Sequence, residues 1–374
     1  MRAAVVLLLF AVVGAAASDP PLQELARLAG TNQGVFAEAE DGTVLVAQAA
    51  DRAVHPASVT KVATSLALLA KLGPTHRFDT RVLATGPLHG GALGGDLVVE
   101  ASRDPFLVDE GAALLATRLH ALGIRSVDGR LVVHGPLLFD WQPDPDGKHL
   151  ARELAAPKGA APVAIRGRPA RPEPSSPRPL LLYRSPPLVH VVKMLNCYSN
   201  NVFHLVSPVI GGPPAVEAFA RAHVPPAMRD EIVIDDAAGG GETNRLSPRA
   251  AVALLRALTQ EVEHEGHHLS DVLPVSGVDP GTLEERLVEP EAHRRTVVGK
   301  TGTFGSVGAS ALAGVLHTKR WGTVAFAVLN HGVPVPEARQ RQDAFVHALV
   351  DATAAEPWPY DTPAHATFTA AEIE

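Results

Sequence analysis

Residues 55–64 read His55-Pro56-Ala57-Ser58-Val59-Thr60-Lys61-Val62-Ala63-Thr64, and apolar residues at helical spacing continue to Leu72, where Gly73-Pro74 closes the run. The pattern predicts a helix over Ser58–Leu72 with a serine and a lysine in its first turn. Positions i and i+3 share a helix face, so the Lys61 amine can reach the Ser58 hydroxyl. A serine hydroxyl is a weak nucleophile until a neighbouring base takes its proton. A lysine amine becomes such a base when burial or a second cation weakens its hold on the proton. The plain alternative is an N-cap serine beside a solvated lysine.

Two more short motifs follow in order, Ser199-Asn200-Asn201 and Lys300-Thr301-Gly302. Each is weak alone, because a Ser-x-x-Lys match arises by chance in a chain of this size. Their order and context give them force. Ser199 can relay a proton between Lys61 and a leaving amine, and Asn201 can hold an amide as donor and acceptor at once. Lys300 follows β-branched Val297-Val298, which predicts a strand whose edge can pair with an extended peptide. Lys300 would be the second cation, and Lys300, Thr301 and Thr303 would form a carboxylate pocket, with Gly302 between the threonines. The backbone N–H groups of Ser58 and Thr303 would form an oxyanion hole.

Outward from these motifs the chain reads as α+β. Asp41-Gly42 between Gly34–Glu38 and Thr43–Ala47 is a hairpin signal. Ala311–His317 and Thr323–Asn330 read as buried strands, and Pro334–Thr353 as a closing helix. Strands near both ends predict one mixed, mainly antiparallel sheet flanked by helices and closed by its termini. That core would comprise residues 18–76 and 180–355, interrupted by an inserted domain at 77–179 whose stretch from Pro143 to Pro179 reads as a Pro-rich surface loop or linker. Residues 356–374 are expected to form a loosely held tail.

With 374 residues, 46% hydrophobic and 20% charged, the chain is not a disordered one. A net charge of −7 offers no electrostatic reason to hold nucleic acid. Arg2, the apolar run Val5–Val13 and Ala15-Ala16-Ala17 predict a secretory leader over residues 1–17, hence a periplasmic or secreted protein with no membrane span after its removal. Cys197, the single cysteine, is expected to be buried packing rather than a nucleophile. His264-Glu265-Gly266-His267-His268 fits a zinc-protease pattern, but Gly266 interrupts the helix it needs, so zinc catalysis is not expected; the serine chemistry itself calls for no metal and no organic cofactor.

The three motifs together resemble the penicillin-recognising serine peptidases, and more narrowly the D-alanyl-D-alanine carboxypeptidase/endopeptidase family of class C low-molecular-mass penicillin-binding proteins. Gly95-Asp96-Leu97, Asp104-Pro105, Leu273-Pro274-Val275-Ser276-Gly277-Val278-Asp279, Gly281-Thr282-Leu283 and Asn244-Arg245-Leu246-Ser247-Pro248 extend the likeness. It implies a transpeptidase-like domain and a serine acyl-enzyme acting on D-Ala-D-Ala peptides of peptidoglycan. Stem peptides and β-lactams would be its partners. It also implies the roles given above for Ser58, Lys61, Ser199, Asn201, Lys300, Thr301, Gly302 and Thr303. The short interval from Ser58 to Ser199 implies a reduced inserted domain. Two departures stand out. The family's Asp-Gly-Ser-Gly-Leu-Ser-Arg loop corresponds to Asp236–Glu242, whose glycine run predicts mobility, and Leu205 replaces an acidic residue. The altered loop motivates a competing reading as a catalytically degenerate peptidoglycan-binding protein. A β-lactamase is a third.

Overall fold

The turn at Asp41-Gly42 forms as the sequence demands: Gly42 adopts φ +86° and joins β1 (Gly34–Glu38) to β2 (Val44–Gln48). A computed structural model describes residues 22–168, 176–360 and 371–374; the expected leader lies outside them. The expected helix over Ser58–Leu72 divides in two. A 3-10 turn, Ala57–Thr60, carries Ser58 and runs directly into α1 (Lys61–Leu72). Gly73 at φ +85° ends the helix by returning its N–H to the Leu69 carbonyl.

The segment that follows builds its own sheet. It contains β3 (Asp79–Ala84), β4 (Leu97–Ala101), α2 (Asp109–Ala121), β5 (Leu131–His134), α3 (Lys148–Ala155) and β6 (Arg178–Arg184). The strands lie in the order β6-β3-β4-β5, with β4 and β5 parallel. Leu97, Val99, Leu115, Phe139, Leu150 and Leu181 belong to its separate apolar core. Two expectations are corrected here. The stretch read as a Pro-rich loop contains α3, because Leu150 and Leu154, one turn apart, both bury. The inserted sheet also extends past residue 179, since β6 pairs with β3 as far as Arg184↔Asp79.

The chain then forms α4 (Leu188–Cys197), α5 (Val202–Val206), α6 (Gly212–Ala222) and α7 (Pro248–His264). Ser247 caps α7 by accepting the Ala250 N–H, and Pro248 takes the first helical position. The apolar region Leu188–Val206 is broken between α4 and α5, and the break holds Ser199.

Last come β7 (Val297–Phe304), β8 (Ala309–Thr318), β9 (Gly322–Asn330) and α8 (Val335–Thr353). The central sheet has the order β7-β8-β9-β1-β2, all antiparallel, so the parallel pairings lie in the inserted segment. β1 pairs with β9, which closes the sheet with its two chain ends. Alternate residues serve opposite faces. Phe326 and Val328 join a core with Phe345 of α8, whereas Ala325, Ala327, Ala311 and Ala313 join a core with α1 and α7. Both faces are covered, which is why these strands read as apolar runs rather than alternations.

The tail is corrected at residues 356–360 and 371–374; residues 361–370 lie outside the described residues. Trp358 donates to the Thr296 carbonyl at 3.1 Å, Tyr360 is buried, and β10 (Glu372–Ile373) adds to the edge of β6. These residues are packed, not loose.

Candidate active site

The 3-10 turn brings the Ser58 hydroxyl over the first residue of α1. Lys61 Nζ donates to Ser58 Oγ at 2.7 Å, Asn201 Oδ1 at 3.2 Å and the Ala238 carbonyl at 2.6 Å. Lys61 is completely buried, and that burial pulls its pKa down to about 7 against the opposing pull of the Asp236 carboxylate. Lys300, expected as the cation that lowers Lys61, is itself completely buried; burial first and Lys61 second push its pKa well below the usual range. Loss of hydration therefore tunes Lys61, and the mutual repulsion weighs on Lys300.

Ser199 occupies the break between α4 and α5 with φ +54°. Its hydroxyl accepts from Lys300 Nζ at 2.9 Å, so among the described residues its lysine partner is Lys300 rather than Lys61. Lys300 also donates to the Thr301 carbonyl at 3.0 Å. Ala57, beside Ser58, has φ +48°. Two non-glycine residues held at positive φ in one site mark a geometry fixed by its surroundings.

Glycines permit the closest approaches. A Cβ on Gly302 would lie 2.7 Å from the Pro56 carbonyl oxygen and 3.0 Å from Ser58 N, so only glycine lets β7 press against the turn that carries Ser58. That contact places Thr303 beside Ser58. Opposite, Gly239 at φ +83° packs on the Ala57 carbonyl. A cavity of about 610 Å³ opens over Ser58, Ser199, Asn201, Thr301, Gly302 and Thr303. Every site residue singled out in the sequence thus lines the cavity or, as with Lys61 and Lys300, lies buried against those that do.

The glycine-rich loop, expected to be mobile, is pinned. Asp236 Oδ1 accepts the Ala238 and Gly240 N–H groups at 2.7 and 3.0 Å. Buried Asn244 accepts from Asp235 N and Asp236 N, and donates to the Asp236 carbonyl and Thr60 Oγ1. The loop's contribution to the site is the Ala238 carbonyl, which sequence reasoning missed because a backbone acceptor leaves no side-chain signature. The Thr282 hydroxyl, accepting from Thr301 at 2.7 Å, and Arg339, donating to Thr303 Oγ1 at 3.1 Å, were also missed. Thr282 stands in Gly281-Thr282-Leu283, which carries the family likeness, whereas Arg339 has no local signal. Leu205, where the acidic residue is lost, offers its carbonyl to Arg103 at 3.0 Å.

Cys197 is buried, and burial raises its thiol to about 12, so it cannot compete as a nucleophile. The zinc-protease pattern lacks its scaffold: α7 ends at His264, Gly266 has φ +77°, and His268 caps a separate turn at Leu269–Asp271.

A family model described as the D-Ala-D-Ala carboxypeptidase 3 (S13) family matches residues 15–146 and 146–352. The chain belongs to this family. It is accordingly a hydrolase, a serine-type D-Ala-D-Ala carboxypeptidase. As an S13 member it is 26% identical over 379 residues to carboxypeptidase DacB of Mycolicibacterium smegmatis, covering 86% of this chain and 80% of the relative. Its fold matches a predatory endopeptidase of Bdellovibrio bacteriovorus solved acylated by penicillin G, in complex with an immunity protein (21% identity, 88% and 95% coverage, TM-score 0.71). It also matches penicillin-binding protein 4 of Haemophilus influenzae complexed with a β-lactam (18% identity, 88% and 99% coverage, TM-score 0.66).

Proposed function

We propose that Ser58 is the nucleophile and neutral Lys61 its base, in an acyl-transfer reaction on peptidoglycan stem peptides ending in D-Ala-D-Ala. The single observation that carries the reading is the 2.7 Å contact between Lys61 Nζ and Ser58 Oγ in a site that strips the amine of water. Lys61 takes the hydroxyl proton as Ser58 Oγ attacks the penultimate D-Ala carbonyl. The Ser58 and Thr303 N–H groups receive the oxyanion. Ser199, oriented by Lys300, gives its hydroxyl proton to the departing amine and is reprotonated by the proton Lys61 took from Ser58, so Lys61 is neutral again as terminal D-alanine leaves. Water then hydrolyses the Ser58 ester and restores the free hydroxyl. Asn201 orients the substrate amide, and Thr301, Gly302 and Thr303 form the strand wall along which the peptide lies.

The place of action is the cell wall, reached by export through the leader expected over residues 1–17, with a periplasmic or secreted mature enzyme. No helix among the described residues is long and apolar enough to cross a membrane.

Intact-mass measurement after benzylpenicillin treatment tests the reading. The expected result is one penicilloyl adduct per chain, mapped to the peptide containing Ser58, persisting after free drug is removed and retained in Cys197→Ala. A folded chain that gains no mass overturns it in favour of a degenerate binding protein. Rapid loss of the adduct with steady penicillin turnover overturns it in favour of a β-lactamase.

A further inference from the structure

The cavity above Ser58 has four basic side chains in or beneath its walls, and three are committed. Lys61 and Lys300 lie completely buried beneath it, hydrogen-bonded to Ser58 and Ser199. Burial favours their neutral forms, so neither is a dependable positive charge for a ligand. Arg286 is held by Asp343 Oδ1 through both Nε and Nη2, and by Gln342 Oε1 at 3.3 Å. The fourth is Arg339, exposed at the start of α8.

The nearest carboxylates along α8 are already engaged: Glu337 by Arg341 and Asp343 by Arg286. Among the described residues Arg339 has no carboxylate partner. Its Nη2 donates to Thr303 Oγ1 at 3.1 Å, which leaves further guanidinium N–H groups for the cavity. Thr303 is the residue whose N–H would receive the oxyanion. In a peptide seated there, only the amide nitrogen and one Cα separate the scissile carbon from the free C-terminal carboxylate. That carboxylate falls beside the Thr303 side chain, where a guanidinium can pair with it through two N–H groups.

We propose that Arg339 is a substrate-binding residue that, with the Thr303 hydroxyl, reads the free C-terminal carboxylate of the leaving residue. The inference rests on the acyl-enzyme reading above and assigns the carboxylate charge to Arg339 instead of Lys300. The preferred substrates are peptides with an ionised carboxylate on the leaving residue, and the same peptides bearing a C-terminal carboxamide are discriminated against.

The test compares an N-acylated Lys-D-Ala-D-Ala peptide with its C-terminal carboxamide, measuring kcat/KM for each on wild type, Arg339→Gln and Arg339→Lys. Losing a charge-assisted hydrogen-bonded contact is expected to lower kcat/KM on the acid about 10- to 100-fold in Arg339→Gln, leaving the amide nearly unchanged. Arg339→Lys should recover part of the acid preference. Equal losses on both peptides, or an unaltered acid-to-amide ratio, overturn the proposal. Arg339 is exposed, so its replacement does not threaten the fold; matching thermal melts verify this. Penicillin labelling separates the two readings. A wild type that neither labels nor cleaves the acid refutes the acyl-enzyme reading and this one with it. A wild type that labels and cleaves, alongside an unchanged ratio in Arg339→Gln, refutes this one alone.

Discussion

Replacing Lys61 with methionine is expected to slow acylation by benzylpenicillin about a thousandfold while Ser58 remains in place, and Ser58→Ala should abolish the adduct. The first figure follows from the proposed roles of Lys61 as general base and Ser58, 2.7 Å away, as nucleophile, since losing a positioned general base costs on the order of 10²–10⁴. Methionine fills most of the volume left by a completely buried lysine, so the loss reports chemistry rather than a cavity. In wild type the acylation rate should depend on the neutral fraction of Lys61. With its pKa drawn down to about 7, the rate should climb about tenfold per pH unit below that value and level off above it. Stopped-flow or quenched mass-spectrometric rates from pH 5 to 9 check this, and a rate indifferent to pH below 7 would remove Lys61 as the base. The same shift has a stability consequence of definite sign. Between about 7 and the ordinary value of 10.5, the unfolded chain holds this proton and the folded chain does not. Unfolding there takes up a proton, so the contribution of Lys61 to stability rises with pH across that window.

The legible parts of this molecule were those in which a side chain announces its own backbone state. Asp41-Gly42 specified a turn, Ser247-Pro248 a helix start, and the runs around Ala313 and Phe326 two buried strands. The Ser58-Val59-Thr60-Lys61 motif predicted a helix start but not its local geometry, because a 3-10 turn and the first turn of an α-helix accept the same residue types. Composition misled where proline and charge outweighed a short amphipathic pattern, as in α3, whose two buried leucines stand among polar neighbours. It misled again at Gly239-Gly240-Gly241. Flexible residues there are fixed by Asp236 and Asn244, far more rigid partners than the glycines themselves suggest. The partners of the two active-site lysines were illegible in detail because they depend on which backbone carbonyls the fold delivers, Ala238 to one and Thr301 to the other.

Asp279→Ala is expected to destabilise the protein by about 3–5 kcal/mol, the usual cost of stranding one member of a buried ion pair. Lys193 extends from α4 and donates to Asp279 Oδ2 at 2.6 Å, the Ser270 carbonyl at 2.7 Å and the Leu273 carbonyl at 2.8 Å, which uses all three ammonium hydrogens. Asp279 in turn accepts the Val275 N–H at 2.7 Å and the Tyr360 hydroxyl at 2.9 Å. The pair thereby joins α4, the loop after Leu273 and the segment at Tyr360 in one largely buried contact. Its influence reaches the cavity two residues later. Gly281 packs on the Cys197 carbonyl, Thr282 N–H donates to that carbonyl at 2.9 Å, and the Thr282 hydroxyl receives the Thr301 hydroxyl. Urea unfolding of Asp279→Ala should therefore show the large loss together with slower acylation, because Thr301 loses the wall that orients it. Lys193→Met combined with Asp279→Leu removes both charges and fills the space, so most of the stability should return while the acylation defect persists. A single variant within about 1 kcal/mol of wild type would mean that the ammonium finds water on its own, contrary to the enclosed network that holds it.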